Sequence, residues 1–309
     1  MELTKMQIIF GPVNSRRFGK SLGIDLSPSK KQCNFDCLYC ELEPAKTMGA
    51  YEDVVSVEEI MGALNGVLEE HQDIDVLTVT ANGEPTLYPY LSELMDEINR
   101  VKGGIKTLIL SNAANIHKPE TQEALMKFDT VKLSLDCATS RCLKRLDRAN
   151  DGIDVEMIKE GMLSFREKFS KPLIVEILMV KGINDSQEEI EALNSYLLKL
   201  KPTRIDIGTI DRPPAYPVEG LSYESILERS TWFDSMLPIY IAHRQKLSAK
   251  ASSYSKEDIL ETIKKRPLTL EDIEVLFDTQ SKERLQILVK EEEIKVETYS
   301  DYDFFVRYS

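Results

Sequence analysis

The sequence is most informative first in what it has little of. Three histidines and one tryptophan occur in 309 residues, so a polyhistidine metal centre is excluded. No apolar run approaches the roughly 18 residues a bilayer-spanning helix needs, and the opening MELTKMQIIFGPVN lacks the basic, apolar and small-residue order of a signal peptide. A cytoplasmic protein without a membrane partner is expected. Positive charge is also short: 39 Lys and Arg stand against 52 Asp and Glu, a net charge of -13. Gripping nucleic acid over a broad surface needs clustered cations, so that class is disfavoured. Residues 1–32 depart from this balance. Lys5, Arg16, Arg17, Lys20, Lys30 and Lys31 outnumber Glu2 and Asp25 there, giving a local +4, which suits an anionic substrate or a basic edge balanced by acidic neighbours. Five cysteines without a secretion signal do not make a disulfide framework.

What is present is ordinary globular material, 42% hydrophobic and 29% charged. The middle of the chain alternates short apolar runs with amphipathic stretches, the pattern of βαβ units. Six strands are predicted at Leu22–Leu26, Val76–Thr80, Thr107–Ser111, Val131–Leu135, Leu173–Val180 and Arg204–Ile210. Helices are predicted from Ser56, which opens a capping box, to His71, and over about 90–101, 119–128, 154–168 and 186–200. An α/β fold follows, a partial (β/α)6 TIM-like barrel ahead of a flat doubly wound sheet, with functional groups at the strands' C-terminal ends.

Residues 1–220 would form this barrel and 221–252 a helical extension and linker, with one long helix over about 222–247 carrying Trp232. Residues 253–309 read as three short helices and a hairpin, a small winged-helix-like domain. Its net charge of -5 argues against DNA reading and for protein, peptide or RNA docking, or structural packing.

The chemistry concentrates in Cys33-Asn34-Phe35-Asp36-Cys37-Leu38-Tyr39-Cys40. Three thiolates on one loop suit a soft metal. A structural zinc site normally adds a fourth protein ligand, and none is near; catalytic zinc with three ligands usually includes His or carboxylate. An iron-sulfur cubane accounts for the number directly, with three irons on cysteine and one open. Cys137 and Cys142 are too few for a second cluster and read as structural thiols, and His71, His117 and His243 match no metal spacing.

This arrangement resembles the radical S-adenosylmethionine superfamily. The resemblance implies a 4Fe-4S cluster on Cys33, Cys37 and Cys40, whose open iron chelates the methionine end of S-adenosylmethionine. It implies reductive cleavage to a 5'-deoxyadenosyl radical that abstracts hydrogen, and an electron donor such as flavodoxin or ferredoxin. Tyr39 matches the aromatic position beside adenine. Asn82-Gly83-Glu84-Pro85 is similar to the motif that binds the methionine amino group, with Asn82 in place of its first glycine. Ser111 and Asn112, then Ser134 and Asp136, end successive strands where members often contact the ribose.

Phe10 to Ile24, Val131 to Asp136 and Asp211 to Pro214 resemble a bacterial subgroup related to the enzymes that build the wyosine base of transfer RNA. That likeness makes tRNA modification the leading substrate class. A peptide or protein substrate is the alternative, and a non-catalytic, metal-dependent, nucleic-acid-binding regulator a further one. Arg16, Arg17, Lys20, Lys181 and Arg212 are candidate substrate contacts, with Asn184 at the same opening and Glu176 either a paired barrel charge or a site residue. No residue is singled out as catalytic.

Overall fold

The structure, a computed structural model, describes residues 8–15, 18–71, 73–241, 251, 253–265, 267–299 and 302–308. Eight strands form one sheet in sequence order: β1 (Ile9–Ser15), β2 (Gly19–Asp25), β3 (Val76–Thr80), β4 (Lys106–Ser111), β5 (Thr130–Ser134), β6 (Leu173–Met179), β7 (Arg204–Thr209) and β8 (Ile239–Ile241). β1 runs antiparallel to β2, and every later pairing is parallel. The sheet curls: Phe18, just before β2, lies 5.2 Å from the Arg204 guanidinium at the start of β7.

Among the described residues, α-helices accompanying this sheet are α1 (Val57–Glu70), α2 (Leu91–Val101), α3 (Pro119–Met126), α4 (Ser140–Leu146), α5 (Val155–Lys168), α6 (Gln187–Leu200) and α7 (Tyr223–Ser230). The predicted box at Ser56 is formed, with Ser56 and Glu59 capping each other's backbone N–H. α6 ends at Leu200 on a left-handed Lys201, one residue before Pro202.

The strands are less uniformly apolar than their sequence suggested. In β5 the residues Val131 and Leu133 are fully buried in the main core, whereas Lys132 and Ser134 line the interior cavity. In β6, Val175 and Ile177 alternate in the same way with Glu176. The sheet therefore has one apolar face and a partly charged lumen.

The region after β7 departs from expectation. The expected helix over 222–247 ends at Ser230, because the chain turns at Thr231 and Trp232, where Arg229 stacks 5.2 Å from the indole, and Pro238 leads into β8. The sheet thus continues to Ile241, past the expected boundary at 220. Residues 242–250 and 252 of the expected extension and linker, His243 among them, lie outside the described residues.

The tail contains α8 (Lys256–Lys265), β9 (Leu268–Thr269), α9 (Leu270–Leu276), α10 (Thr279–Lys290), β10 (Ile294–Tyr299) and β11 (Tyr302–Arg307), with sheet order β10-β11-β9. Its buried side chains, among them Ile259, Ile273, Phe277 and Leu288, form a second cluster separate from the barrel core. Tyr299 Oη donates to the Val218 carbonyl at 3.0 Å, joining the tail to the segment after β7.

Candidate active site

The cysteine loop has no helix or strand of its own, so tertiary contacts position it. Gln32 forms a parallel bridge with Gly83: its N–H donates to the Asn82 carbonyl at 2.8 Å, and the Glu84 N–H donates back to its carbonyl at 3.0 Å. A Cβ at Gly83 would stand 1.9 Å from the Gln32 oxygen, and Gly83 has φ +136°, so only glycine fits. The Gln32 amide is fully buried and bonds Ser27, Glu52 and Asp53. From the far side, Asp36 N–H and Leu38 N–H donate to the Asp147 and Leu146 carbonyls, and Ala215 N–H donates to the Cys40 carbonyl at 2.8 Å.

The loop is thus held over the C-terminal ends of the strands, where it closes a cavity of about 200 Å³. Cys33, Cys37, Tyr39 and Cys40 form one wall; Gly83, Glu84, Ser111, Asn112 and Ser134 form the others, with Thr80, Leu110, Lys132 and Glu176 deeper in the lumen. Asp136 joins Tyr39, Asn112 and Ser134 around a smaller adjoining hollow. Asn82 and Pro85 flank these residues without lining either space: Asn82 N–H is held by the buried Asp25 carboxylate at 3.0 Å, and Pro85 opens a short 3-10 turn.

Glu84 is 1% exposed, and burial pushes its carboxyl above the usual range. It accepts from Thr86 N–H, Thr86 Oγ1, Ser111 Oγ and Asn112 N–H at 2.6–2.9 Å, so it both caps the 3-10 turn and ties β3 to β4. Asp136 accepts from Tyr39 Oη and, at 2.6 Å, from Leu178 N–H. Its carboxyl is pushed up to about 7, chiefly by burial. Both carboxylates are thereby engaged in bracing the walls.

The free cysteines are Cys33, Cys37 and Cys40. Burial and then the Glu84 charge push the Cys33 thiol up to about 12; burial and then Asp147 raise Cys37; burial raises Cys40 against the lowering pull of Lys31. Such thiols stay protonated at neutral pH, and coordination would have to displace three protons. The donor set fits an iron-sulfur centre with one open position: three soft thiols converge on a cavity wall without a fourth cysteine or a histidine among the lining residues.

Several sequence-predicted groups are not brought here. Lys20 sits at the N-terminal end of β2, its ammonium 2.5 Å from Asp73. Lys181 is exposed on Glu219. Asn184 is buried in a turn, bonding the Asp136 and Leu178 carbonyls and Val180 N–H. Arg212 pairs with Glu41 at 2.9 Å, just past the loop, and Arg16 and Arg17 lie outside the described residues. Glu176 is a paired barrel charge and also a cavity residue: it bonds Lys132, which lies 3.3 Å from Asp206. Cys137 and Cys142, read as structural thiols, are joined as a disulfide, because the turn after β5 folds α4 back to a Cα–Cα distance of 5.4 Å. Gln32, Asn34, Asp36 and Asp147 were not singled out for the site. The unusual number of polar residues around the cysteines was the available signal.

Residues 28–193, just over half of the chain, match the Radical SAM superfamily. A UPF0026 protein of Helicobacter pylori strain J99 is 39% identical over 306 residues, 99% of each chain. The S-adenosyl-L-methionine-dependent tRNA 4-demethylwyosine synthase of rice is 30% identical over 144 residues, 47% of this chain and 21% of that protein. Among solved structures, Streptococcus suis SuiB bound to precursor peptide SuiA superposes with a TM-score of 0.57 at 20% identity, covering 72% of this chain and 48% of SuiB. The likeness is one of fold, and this chain spans about half of SuiB's length.

Proposed function

The chain belongs to the radical SAM superfamily, and from that premise we propose that Cys33, Cys37 and Cys40 hold a 4Fe-4S cluster at which S-adenosylmethionine is reductively cleaved. The observation that carries this reading is the convergence of three thiols on one wall of a cavity whose other walls are consecutive strand ends. When bound, the cluster and cofactor supply a one-electron carbon-sulfur cleavage and a 5'-deoxyadenosyl radical for hydrogen abstraction. An external reductant provides the electron.

The chain's own residues bind, orient and exclude water. Gly83 and Glu84 present a backbone edge and a carboxylate on the side suited to the methionine ammonium. Ser111, Asn112 and Ser134 offer hydroxyl and amide groups for the ribose, and Tyr39, fixed by Asp136, borders the adenine. Phe35, Leu42 and Leu110 keep the cavity partly dry. Lys132 and Glu176, deeper in the lumen, face the substrate.

The substrate class we propose is transfer RNA, supported by the likeness to the rice wyosine synthase. The net charge of -5 on residues 253–309 favours a second reading, a basic peptide or protein docked on that module. We assign residues 253–309 to a winged-helix-like domain, supported by its helix order, its three-stranded sheet and its own hydrophobic cluster.

The test is anaerobic reconstitution with iron and sulfide, addition of S-adenosylmethionine and dithionite, and measurement of 5'-deoxyadenosine. The wild type should form it and Cys37→Ala should not; retained stoichiometric zinc without product would overturn the proposal. Added bulk tRNA should raise the yield more than a pool of basic peptides does, and the reverse order would select the peptide reading.

A further inference from the structure

Lys31 stands in the wall of the cavity that holds the three cysteines. Its side chain is 9% exposed, and its ammonium finds no oxygen or nitrogen acceptor among the described residues and lies beside the Cys40 thiol. Its ion-pair partner, Asp36 Oδ1, is 3.7 Å away and makes no hydrogen bond. A plain structural pair closes to about 2.7–2.9 Å. Asp36 is not short of order: its Oδ2 accepts from Tyr216 Oη at 2.6 Å and lies 3.2 Å from Arg148, whose guanidinium stacks 4.7 Å from the Tyr216 ring. The carboxylate is therefore fixed from outside the loop, while the ammonium stays on the cavity side without closing the pair.

Burying an ammonium beside a protonated thiol, without an oxygen acceptor, is costly. The cost is offset if a negative group occupies the space beside it in the loaded protein. We propose that this group is the iron-sulfur centre itself, and that Lys31, positioned by Asp36, is the charge-compensating residue that raises the centre's reduction potential. The inference rests on the cluster assignment above. Reduction adds one negative charge to the centre, and a nearby cation in a poorly solvated wall stabilises the reduced form over the oxidised one. An exposed lysine at the same distance would be screened.

The experiment is an anaerobic redox titration of the reconstituted protein followed by electron paramagnetic resonance, first without S-adenosylmethionine. Lys31→Met and Lys31→Gln should lower the reduced-to-oxidised ratio at a fixed applied potential by at least about tenfold, which is about 59 mV for a one-electron couple. Lys31→Arg should stay near wild type. Failure of both neutral variants to retain four irons, with unchanged apoprotein melting and rescue by Lys31→Arg, would also support charge compensation. Unchanged potentials in neutral variants holding four irons would overturn it. So would iron loss accompanied by lower apoprotein melting, which makes Lys31 a folding residue, or a shift that appears only with S-adenosylmethionine, which moves Lys31 to the cofactor's carboxylate. A wild-type chain that assembles no cluster sinks the proposed function instead, so the two failures are distinguishable.

Discussion

Gly83→Ala should be the most damaging methyl group that can be added to this site. The new Cβ would lie 1.9 Å from the Gln32 carbonyl oxygen and 2.9 Å from its nitrogen, both backbone atoms that no rotamer change can move. The bridge must open, which removes the Gln32-to-Asn82 and Glu84-to-Gln32 hydrogen bonds. Each buried loss costs about 1–3 kcal/mol, and a non-glycine residue at positive φ adds about 1–3 kcal/mol. The expected destabilisation is about 3–9 kcal/mol, a fall in apoprotein melting temperature on the order of 10 °C. Gly62→Ala is the control. Gly62 is an exposed residue inside α1, its Cβ position meets nothing within 4 Å, and alanine there should stabilise by about 0.5–1 kcal/mol. Differential scanning calorimetry and iron content after reconstitution read both variants. If Gly83→Ala melts with the wild type and binds the same iron, the docking of the cysteine loop on this glycine is refuted.

Lys132→Met removes the ammonium shared by Glu176 and the buried Asp206, which keeps Arg204 at 2.8 Å, and should cost about 1–3 kcal/mol in urea unfolding, whereas Lys181→Ala, on an exposed pair, should not change the midpoint. Asp136 has a folded carboxyl pKa raised from 3.8 to about 7, so between those values the folded apoprotein holds a proton that the unfolded chain has released. Its contribution therefore weakens as pH rises from about 4 to about 7. Asp136→Asn should flatten that part of the stability profile, and a stability difference from wild type that is constant with pH would refute the assignment. Thr269→Ala removes the hydroxyl that accepts from Asp272 N–H at the start of α9 and should loosen the tail by about 1–2 kcal/mol, read as faster amide exchange in α9 with the barrel strands unchanged.

The parallel strands were legible because their signals are local. Val76–Thr80 coincides with its predicted bounds, and the other five shift by one to three residues at an end. β1 and β8 escaped notice for different reasons. β1 contains Gly11 and Pro12 and a break in register between Phe10 and Val13, which blurs its alternation, and β8 has only three residues. α4 is seven residues long and gave too few turns for a helical period. Lys132, Glu176 and Asp206 stand in otherwise apolar strands, and the curl of the sheet explains their presence: it gives them a common lumen, where Lys132 and, on Asp206, Arg204 balance the two carboxylates.

The candidate site divides along the same line between local and tertiary information. Spacing alone marks the three cysteines, because their chemistry is a property of residue type and count. Their placement is a property of partners far away in sequence, since Gln32 meets Gly83, Asn34 accepts from Asn112, and Asp36 meets Arg148 and Tyr216. This separation explains why Lys20, a basic residue near the N-terminus, does not line the cavity with the cysteines. Lys20 is close in sequence to the cysteine loop, but β2 runs between them, and six peptide steps along a strand span about 20 Å. Sequence proximity therefore carried Lys20 to the opposite end of the sheet. Lys31, from the same basic stretch, lies beyond the C-terminal end of β2 and reaches the cavity. A charge cluster read from sequence must be divided by the direction of the strand that passes through it, and the half beyond the strand's C-terminal end is the half to test first.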